Sequence, residues 1–279
     1  MEQHFIQYIK REIVLRFPAD PQSPWFAELQ HYKAGFQYPV HHVTRLAGYP
    51  ANKVKAGDVI WLVSQLKLKG QLLPPSFDGK VVVKEVIQLN NNEQQTGFKF
   101  IADKGSCWFP LKDATAVLAI IAVQPKIGDP YTPFDSGKTT VGQAFQSMKK
   151  IHTPHILSTL QQQLEQNPID FVSYRIKDGT QAAFSKVAEL LGGGAVVFWD
   201  RWGLPRRLAE RRELVDDAEL DILLCQKIQQ AGTVYGIESN LYAVDSSYSA
   251  KEKNLAEQLG KYKTVQVKLN VEQSEDEPT

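Results

Sequence analysis

Cysteine is scarce in this chain, and its histidines do not fall into a metal-binding pattern. The 279 residues include two cysteines, Cys107 and Cys225, far apart in sequence. Such a pair indicates neither a disulfide framework nor a cysteine metal site, so we expect both to be small buried apolar residues. The pairs His41–His42 and His152–His155 have no acidic or cysteine partner at ligand spacing. We interpret these histidines as structural and expect no metal.

An excess of charge and a long apolar run are also missing. Lysine and arginine total 32 against 31 acidic residues, so the net charge is +1. This balance excludes an overall electric field that would draw the protein to nucleic acid or an anionic membrane. It does not exclude a local basic patch with that effect. No apolar run is long enough to cross a bilayer, and the first residues do not resemble a signal peptide. We expect a cytoplasmic protein with no membrane partner.

The first half of the chain has the pattern of strands. Its length and its 43% apolar residues are compatible with about two domains, each with a core. Short apolar runs bounded by turn residues occupy residues 55–63, 79–87, 97–101 and 116–123. Closely spaced strands with little helix between them predict a small, partly closed β-barrel over residues 1–124.

Two segments of this half resemble a known family. Residues 54–63 (VKAGDVIWLV) and residues 79–86 after Pro74-Pro75 resemble the PUA-like barrels, which include the EVE and ASCH domains. The resemblance covers residues 25–125 and implies a pocket for a nucleotide, a modified base or another small ligand. It implies Trp61, Trp108 and Phe109 as stacking groups in this pocket. We expect this half of the chain to be a sensor or assembly module. The alternative is that these aromatic side chains belong to the core.

Residues 125–166 are interpreted as a linker with connecting helices. Residues 136–140 (SGKTT) match the end of a phosphate-binding P-loop. That motif requires a glycine five residues before Gly137, where Thr132 stands, and a buried strand before it. The segment therefore predicts an ordinary helix start.

In the second half, strand-length apolar runs alternate with helical segments. Strands are predicted at residues 169–174, 195–199, 233–239 and 264–269, and helices at residues 180–191 and from residue 249. A longer helix between the second and third strands has the apolar stripe Leu204, Leu208, Val215, Ala218, Ile222 and Cys225. This alternation predicts an α/β fold, a parallel sheet with helices on both faces. The acidic end, residues 271–279, is predicted to be disordered.

Three ordered segments of this half resemble a TIR domain (Toll/interleukin-1 receptor homology), which has a flavodoxin-like α/β fold. They are residues 170–175 (DFVSYR), residues 197–205 (VFWDRWGLP) and residues 237–252, which contain IESNLY and SSYSAKE. The resemblance covers residues 167–270. Two features differ: Tyr248-Ser249 replaces the usual Trp-Cys pair, and four strands are predicted where the family usually has five.

The resemblance implies an activity. Many bacterial TIR domains cleave NAD+ between nicotinamide and ribose, some cyclise the product, and many act in antiviral defence. It thus implies an NAD+ glycohydrolase with NAD+ as substrate, no other cofactor, and Glu252 as the catalytic residue. It also implies activation by self-assembly into an oligomer or filament through a loop formed by Arg201, Gly203, Leu204 and Pro205.

The spacing around Glu252 supports two interpretations. Tyr248, Glu252, Leu255 and Leu259 recur at helical spacing, which places the carboxylate on the inward face. Charged residues seldom lie on such a face without a partner or a function. The alternative is a capping box from Ser249 to Glu252, in which the glutamate binds a backbone amide at the helix start.

Other residues are expected to gather near the substrate. Loss of nicotinamide leaves positive charge on the ribose, which a carboxylate stabilises. The site of an open α/β sheet lies outside the carboxyl ends of its strands. The candidates there are Ser173, Tyr174, Arg175, Asp200, Trp202, Ser239 and Tyr248. Arg175 is expected to bind the diphosphate and Trp202 to stack on a ring; the alternatives are a surface ion pair and packing on the second helix.

Three other functions remain open. A non-catalytic TIR adaptor would use Glu252 only as a helix cap. A nucleic-acid-binding or nucleotide-binding module led by the first half would show salt-dependent binding if its ligand were DNA or RNA. A nucleotide-processing enzyme of related fold, such as a deoxyribosyltransferase, would release a base from nucleosides.

Overall fold

The computed structural model describes residues 2–10, 39, 41–91, 95–166, 168–203, 217–242, 244 and 247–267. They form a mixed eight-stranded sheet, a parallel four-stranded sheet and a two-stranded ribbon. The architecture is therefore α/β in broad terms. The predicted acidic tail lies outside the described residues, and no helix within them is long and apolar enough to cross a membrane.

The first sheet is mostly antiparallel. Its strands are β1 (His4–Tyr8), β2 (His41–Thr44), β3 (Val59–Ser64), β6 (Ser76–Asn91), β7 (Gln95–Ala102), β8 (Cys107–Trp108), β9 (Val123–Gln124) and β10 (Lys149–Ile151). The order is β2-β7-β6-β3-β1-β10-β9, and β8 also pairs with β6. Only β1 and β3 pair in parallel within this described sheet. The ribbon consists of β4 (Lys67–Leu68) and β5 (Gln71–Leu72).

The second sheet is entirely parallel. It contains β11 (Ile169–Ser173), β12 (Val196–Trp199), β13 (Ala231–Glu238) and β14 (Tyr262–Gln266), in the order β12-β11-β13-β14. The described helices are α1 (Thr115–Leu118), α2 (Val141–Phe145), α3 (His155–Gln166), α4 (Thr180–Gly192), α5 (Asp200–Gly203), α6 (Asp217–Gln230) and α7 (Tyr248–Gln258).

Strand β3 is buried on both faces, which explains its uninterrupted apolar sequence. Ile60 and Leu62 join one apolar cluster, while Trp61 and Val63 join the other, as alternating side chains of a strand do. Trp61 is 2% exposed, stacks on Phe109 with ring centres 5.8 Å apart, and donates its indole N–H to His4. The core interpretation of Trp61 and Phe109 is thus confirmed, and their proposed role as ligand-stacking groups is wrong.

Two predictions between the sheets need correction. Residues 116–123 are not a strand: α1 occupies their first part, and β9 begins only at Val123. Residues 125–166 are more than a linker, because β10 pairs with β1 and β9 inside the first sheet. The helix start within SGKTT is confirmed, since Thr140 caps α2 in a capping box with Gln143.

The parallel sheet has helices on both faces, as predicted. On one face, α4 packs Phe184 and Val187 against Val172 and Trp199. On the other face, Phe171 and Phe198 pack with residues of α6 and α7, namely Leu224, Ile228 and Ala256. Neighbouring residues of β11 thus serve opposite faces of the sheet.

The apolar stripe predicted for the long helix is wrong at Ile222 and Cys225, the two positions whose burial the structure describes. Ile222 is 58% exposed and Cys225 is also exposed, whereas Leu224 and Ile228 are buried. In the described helix, Asp217–Gln230, the buried Leu224 and Ile228 lie one turn apart and define the inward face. Leu204, Leu208 and Val215 lie outside the described residues. The expectation that both cysteines are buried is also wrong, because Cys107 is only half-buried.

The two sheets share apolar packing. Leu111 and Val197 exchange both backbone hydrogen bonds at 2.8 Å, so the segment after β8 touches the parallel sheet. Leu66, Leu73 and Leu111 belong to the same buried cluster as Trp199 and its neighbours. The predicted boundary near residue 124 therefore does not separate two independent cores.

His42 is a structural histidine. It is 7% exposed, its Nε2 lies 2.9 Å from Gln7 Oε1, and its ring stacks on Phe100. Burial lowers the pKa of His42 to about 4. No cluster of three potential metal ligands occurs in the part of the chain that the structure describes.

This burial predicts an acid-sensitive fold. The unfolded chain binds a proton at His42 near pH 6.5, whereas the folded protein resists protonation until about pH 4, so stability falls as the pH drops between these values. Replacement by His42→Gln is expected to remove roughly 2 to 3 kcal/mol of the pH-dependent change in unfolding free energy. Urea unfolding of the wild type and of His42→Gln at pH 7 and pH 4 measures this change in unfolding free energy. The exposed His155, as His155→Gln, should retain the wild-type pH dependence; equal behaviour of the two variants would contradict the prediction.

Candidate active site

The candidate site lies where the direction of strand addition reverses in the parallel sheet. Strand β12 lies on one side of β11, and β13 and β14 lie on the other. In open α/β sheets, ligands bind in the crevice outside the carboxyl ends of the strands at such a point. Ser173 is the last residue of β11 and Glu238 is the last residue of β13. Glu252 reaches the same region from α7.

Glu252 is tied to the end of β11. The Ser173 hydroxyl donates a hydrogen bond of 2.6 Å to Oε2 of Glu252. Ser173 is 1% exposed and Glu252 is half-buried. A short hydrogen bond from a hydroxyl to an ionised carboxylate is one of the stronger types. The carboxylate is thereby fixed at the carboxyl end of β11.

The capping interpretation of Glu252 is wrong. The N-cap of α7 is Ser247, whose hydroxyl accepts a 3.1 Å hydrogen bond from the backbone N–H of Ala250. The N-cap thus lies two residues before the predicted cap at Ser249, and Glu252 lies beyond the N3 position of a capping box. On the inward face, Glu252 precedes the fully buried Ala256 by one turn, whereas Leu259 is 42% exposed.

A second hydroxyl supports Ser173. The Tyr242 hydroxyl lies 3.0 Å from Ser173 Oγ, and Tyr242 is 8% exposed. Ser173 has a single hydroxyl proton, which is given to Glu252, so Tyr242 is the donor in this pair. Burial raises the pKa of Tyr242 to about 12, which keeps the phenol protonated and able to donate at neutral pH.

The row of polar groups continues to a second carboxylate. The Tyr262 hydroxyl, which interacts with Tyr242, donates to Glu238 Oε1 at 3.1 Å. Lys253 Nζ lies 2.8 Å from the same oxygen, and Gln266 donates to the other at 3.2 Å. The bond from Lys253, followed by those from Tyr262 and Gln266, holds the pKa of Glu238 below its usual range. We call the series Glu252, Ser173, Tyr242, Tyr262 and Glu238 the polar row.

Sequence reasoning missed most of the polar row. Of its five members it singled out only Glu252 and Ser173, and it also missed Lys253. An acidic residue at the carboxyl end of the third strand was a usable signal for Glu238, because site residues collect there. The two tyrosines gave no comparable signal, since Tyr242 lies in a loop and Tyr262 begins a strand.

Glycine at position 236 makes room for the polar row. A β-carbon on Gly236 would overlap the hydroxyl and ring of Tyr262 on the neighbouring strand β14. The absence of a side chain in the middle of β13 therefore lets Tyr262 reach across to Glu238. Here the glycine serves a close approach of a side chain to the backbone.

The other predicted substrate residues fall into two groups. Ser239 donates to Asp178 Oδ1 at 2.7 Å, and Asp178 also accepts from the backbone of Leu241 at 2.8 Å, so this pair joins the loops after β11 and β13. Arg175 follows β11 by two residues and is half-buried. Tyr248, the first residue of α7, is half-buried and packs on the apolar cluster that contains Phe171 and Phe198. No observation tests their contact with a substrate, which stays a prediction.

The second group lies at the adjacent ends of β11 and β12. Tyr174 is 7% exposed, and its hydroxyl accepts a 3.3 Å hydrogen bond from Arg201. Burial and the nearby charge of Asp200 raise the pKa of Tyr174. Buried Tyr174, half-buried Asp200 and Arg201 thus form a contact between the ends of β11 and β12.

Trp202 does not face a ligand. It is 1% exposed, and its indole N–H donates to the backbone carbonyl of Phe109 at 2.9 Å. The predicted ring stacking is therefore wrong, because the indole is buried at the junction with the first sheet. A β-carbon on Gly203 would overlap the Phe198 ring, so this glycine serves packing. Leu204 and Pro205 lie outside the described residues, and their assembly role stays a prediction.

The arrangement can stabilise positive charge. Its central feature is a half-buried carboxylate that a neutral hydroxyl orients at the carboxyl end of β11. Fixed negative charge in a partly desolvated site acts more strongly on a developing cation than it would in water. The geometry therefore suits a reaction in which a sugar carbon becomes electron-poor.

Removing the Ser173 hydroxyl should weaken the fold as well as the site. Ser173→Ala leaves Glu252 without this donor and Tyr242 without this acceptor, so we expect the unfolding free energy to fall by roughly 1 to 3 kcal/mol. The matched control is Ser185→Ala, an exposed serine whose hydroxyl bonds within its own helix. Urea unfolding measures the unfolding free energy of both variants. Equal stability of the two variants would show that the bonds of Ser173 contribute nothing.

Filling the space at Gly236 gives a second test of the polar row. Gly236→Ala must push Tyr262 aside, and we expect it to lower the unfolding free energy by roughly 1 to 3 kcal/mol, as overpacking does. The control is Gly192→Ala at the end of α4, where an added β-carbon meets no atom within 4 Å. Thermal unfolding of both variants measures the difference, and an unchanged midpoint for Gly236→Ala would rule out this packing.

Comparisons with known proteins do not assign this site to a family. No protein-family model, curated protein or solved structure matches the chain.

Proposed function

We propose that this protein is an NAD+ glycohydrolase that cleaves the bond between nicotinamide and ribose, with Glu252 as its catalytic residue. The observation that carries the proposal is the 2.6 Å hydrogen bond from Ser173 to Glu252. It holds a half-buried carboxylate at the end of the central strand, where open α/β sheets bind their ligands.

The topology supports a TIR-like domain in the second half. The strand order β12-β11-β13-β14 is the order of the first four strands in flavodoxin-like sheets. Glu252 lies on the helix after the third of these strands, as the resemblance to TIR domains requires. The described part of the sheet has four strands, with β14 at one edge.

The chemistry follows from the charge of the substrate. When the bond between the ribose carbon and the nicotinamide nitrogen breaks, its electron pair returns to the pyridinium ring, so nicotinamide leaves neutral without a general acid. Positive charge develops on the ribose, as in glycoside cleavage. The Glu252 carboxylate stabilises this charge, and Ser173 keeps it in position.

Water completes the hydrolysis. Its oxygen forms a bond to the electron-poor ribose carbon and its proton passes to the Glu252 carboxylate, which yields ADP-ribose. Attack by a nitrogen of the substrate's own adenine in place of water would give a cyclic product. Arg175, half-buried after β11, is placed in this proposal against the diphosphate.

The proposal extends to regulation and biological role. The chain assembles with further copies of itself through a surface that includes Arg201 and Gly203, and assembly completes the site. An open head-to-tail contact of this kind produces filaments. The enzyme then acts as an effector of bacterial antiviral defence, controlled by the first half of the chain.

The decisive experiment measures nicotinamide release from NAD+ by concentrated protein, with a crowding agent to promote assembly. Glu252→Gln keeps the side-chain shape and removes its charge, so we expect the rate to fall by roughly a hundredfold or more. Glu257→Gln, an exposed glutamate on the same helix, should retain the wild-type rate.

Two results would contradict the proposal. Equal release by the wild type and Glu252→Gln would remove Glu252 from the mechanism. No release by the wild type, with or without crowding, would favour the non-catalytic adaptor, in which the Ser173–Glu252 bond only ties α7 to β11. The unfolding midpoint of each variant shows whether a loss of activity reflects a loss of fold.

A further inference from the structure

The polar row joins its two carboxylates through hydroxyl groups alone. Ser173 Oγ lies 2.6 Å from Glu252 and 3.0 Å from the Tyr242 hydroxyl. The Tyr242 and Tyr262 hydroxyls are hydrogen-bond partners, and Tyr262 lies 3.1 Å from Glu238. The row therefore consists of four oxygen-to-oxygen contacts in succession. Such a series of hydrogen bonds is a connected network, so a change at one end affects the direction of each bond along it.

The row has fewer protons than contacts. A hydroxyl has one proton to donate, so the three hydroxyls supply three protons for the four contacts. With both carboxylates ionised, Ser173 donates to Glu252, Tyr242 donates to Ser173, and Tyr262 donates to Glu238. The contact between the two tyrosine hydroxyls then has no proton. One further proton would complete the series.

A proton on Glu252 completes it. The proposed hydrolysis delivers this proton, because water loses a proton to Glu252 as its oxygen bonds to the ribose. The protonated carboxyl group then donates to Ser173, and the hydroxyls of Ser173 and Tyr242 turn to the next oxygen of the row. Tyr262 still donates to Glu238. Every contact now contains one proton, and all four protons point from Glu252 toward Glu238.

Burial differs between the middle of the row and its far end. Ser173 and Tyr242 are buried, whereas the Glu238 side chain is 25% exposed. The bond from Lys253, followed by that from Tyr262, holds the pKa of Glu238 below its usual range. Glu238 therefore gives up a proton readily at neutral pH. The row leads from the proposed catalytic carboxylate through the interior to a group that contacts solvent.

We propose that the polar row is the path by which the proton produced in hydrolysis leaves the active site, an inference that rests on the proposed NAD+ glycohydrolase activity. The proton leaves Glu252, passes along the three hydroxyls and is released to solvent from Glu238. Tyr242 and Tyr262 thus act on the reaction through Glu252 and do not touch the substrate.

The transfer conserves atoms and charge. The O–H bond of protonated Glu252 breaks as an O–H bond forms on Ser173, whose former proton passes to Tyr242. The Tyr242 proton passes to Tyr262, and the Tyr262 proton passes to Glu238. The three hydroxyls are neutral before and after, and nothing is oxidised or reduced. Glu238 then gives its proton to water, and Glu252 is again a carboxylate that is ready for the next substrate.

Tyr262→Phe tests the path, because it removes one hydroxyl while the ring still occupies the space beside Gly236. The first turnover begins with Glu252 ionised and needs no proton release, whereas every later turnover does. With enzyme in excess over NAD+, we expect this variant to release nicotinamide at the wild-type rate. With NAD+ in excess and in dilute buffer, we expect its kcat to fall about tenfold or more with KM unchanged, since positioned proton transfer contributes at least this much. Glu238→Gln, whose amide accepts no proton, is expected to show the same pattern.

Rescue by a soluble base distinguishes proton release from a structural role. Imidazole at high concentration can take the proton from the half-buried Glu252, so it should restore the kcat of Tyr262→Phe and leave the wild-type kcat unchanged. The matched control is Tyr235→Phe, since this half-buried tyrosine packs on the other face of the sheet. It should retain both wild-type rates. The unfolding midpoint confirms that each variant is folded.

Three results overturn the proposal. The first is a kcat of Tyr262→Phe equal to that of the wild type. The second is an equal loss of rate in the first turnover and in the steady state, because Tyr262 would then only support the structure of the site. The third is a loss that imidazole does not restore. Absence of nicotinamide release by the wild type would instead overturn the glycohydrolase and the path together, so the two failures are distinguishable.

Discussion

The short hydrogen bond between Ser173 and Glu252 is the interaction on which the candidate site depends. A carboxylate that is partly withdrawn from water needs donors, because burial without them favours its neutral form. The donor here is itself buried at the end of β11, and Tyr242 must point its own proton at Ser173 to complete the pattern. Tyr262 donates instead to Glu238 and occupies the space that Gly236 leaves. Glu252 on α7 thus sets requirements on Ser173 and Tyr242, and Glu238 sets those on Tyr262 and Gly236.

The junction between the sheets places a second constraint on the same region. Trp202 follows β12 by three residues and is fixed by the carbonyl of Phe109, whose ring stacks on Trp61 in the core of the first sheet. Leu111 and Val197 join the backbones at the same place. A displacement of this segment would therefore reach the end of β12, where Arg201 contacts Tyr174, the neighbour of Ser173. A continuous series of contacts therefore joins the core of the first sheet to the end of β11.

The sequence predicted what depends on local pattern and failed where distant side chains meet. The four strands of the parallel sheet and helix α4 lie within three residues of their predicted bounds wherever the structure describes them, because apolar period and glycine positions are local signals. The capping box failed because Ser247 and Ser249 offer the same local chemistry, and only the structure shows which one binds Ala250. The prediction that Trp202 stacks on a substrate ring failed because an aromatic residue after a strand can face either a ligand or the core. Tyr242 and Tyr262 were missed because their partners are set by the register of β11, β13 and β14, which no local pattern contains.

The two carboxylates of the polar row are held by different donors. Glu238 forms an ion pair with Lys253, and its depressed pKa reflects that bond first. Its charge is largely balanced within the protein, as expected for a structural ion pair. Glu252 lies at the other end of the polar row, where the buried Ser173 hydroxyl donates to it from the end of β11. A hydroxyl donor fixes the direction of a carboxylate oxygen and carries no charge of its own. Glu238 is therefore held between β13 and the edge strand β14, with a lysine among its donors, whereas Glu252 is held at the end of the central strand by a serine.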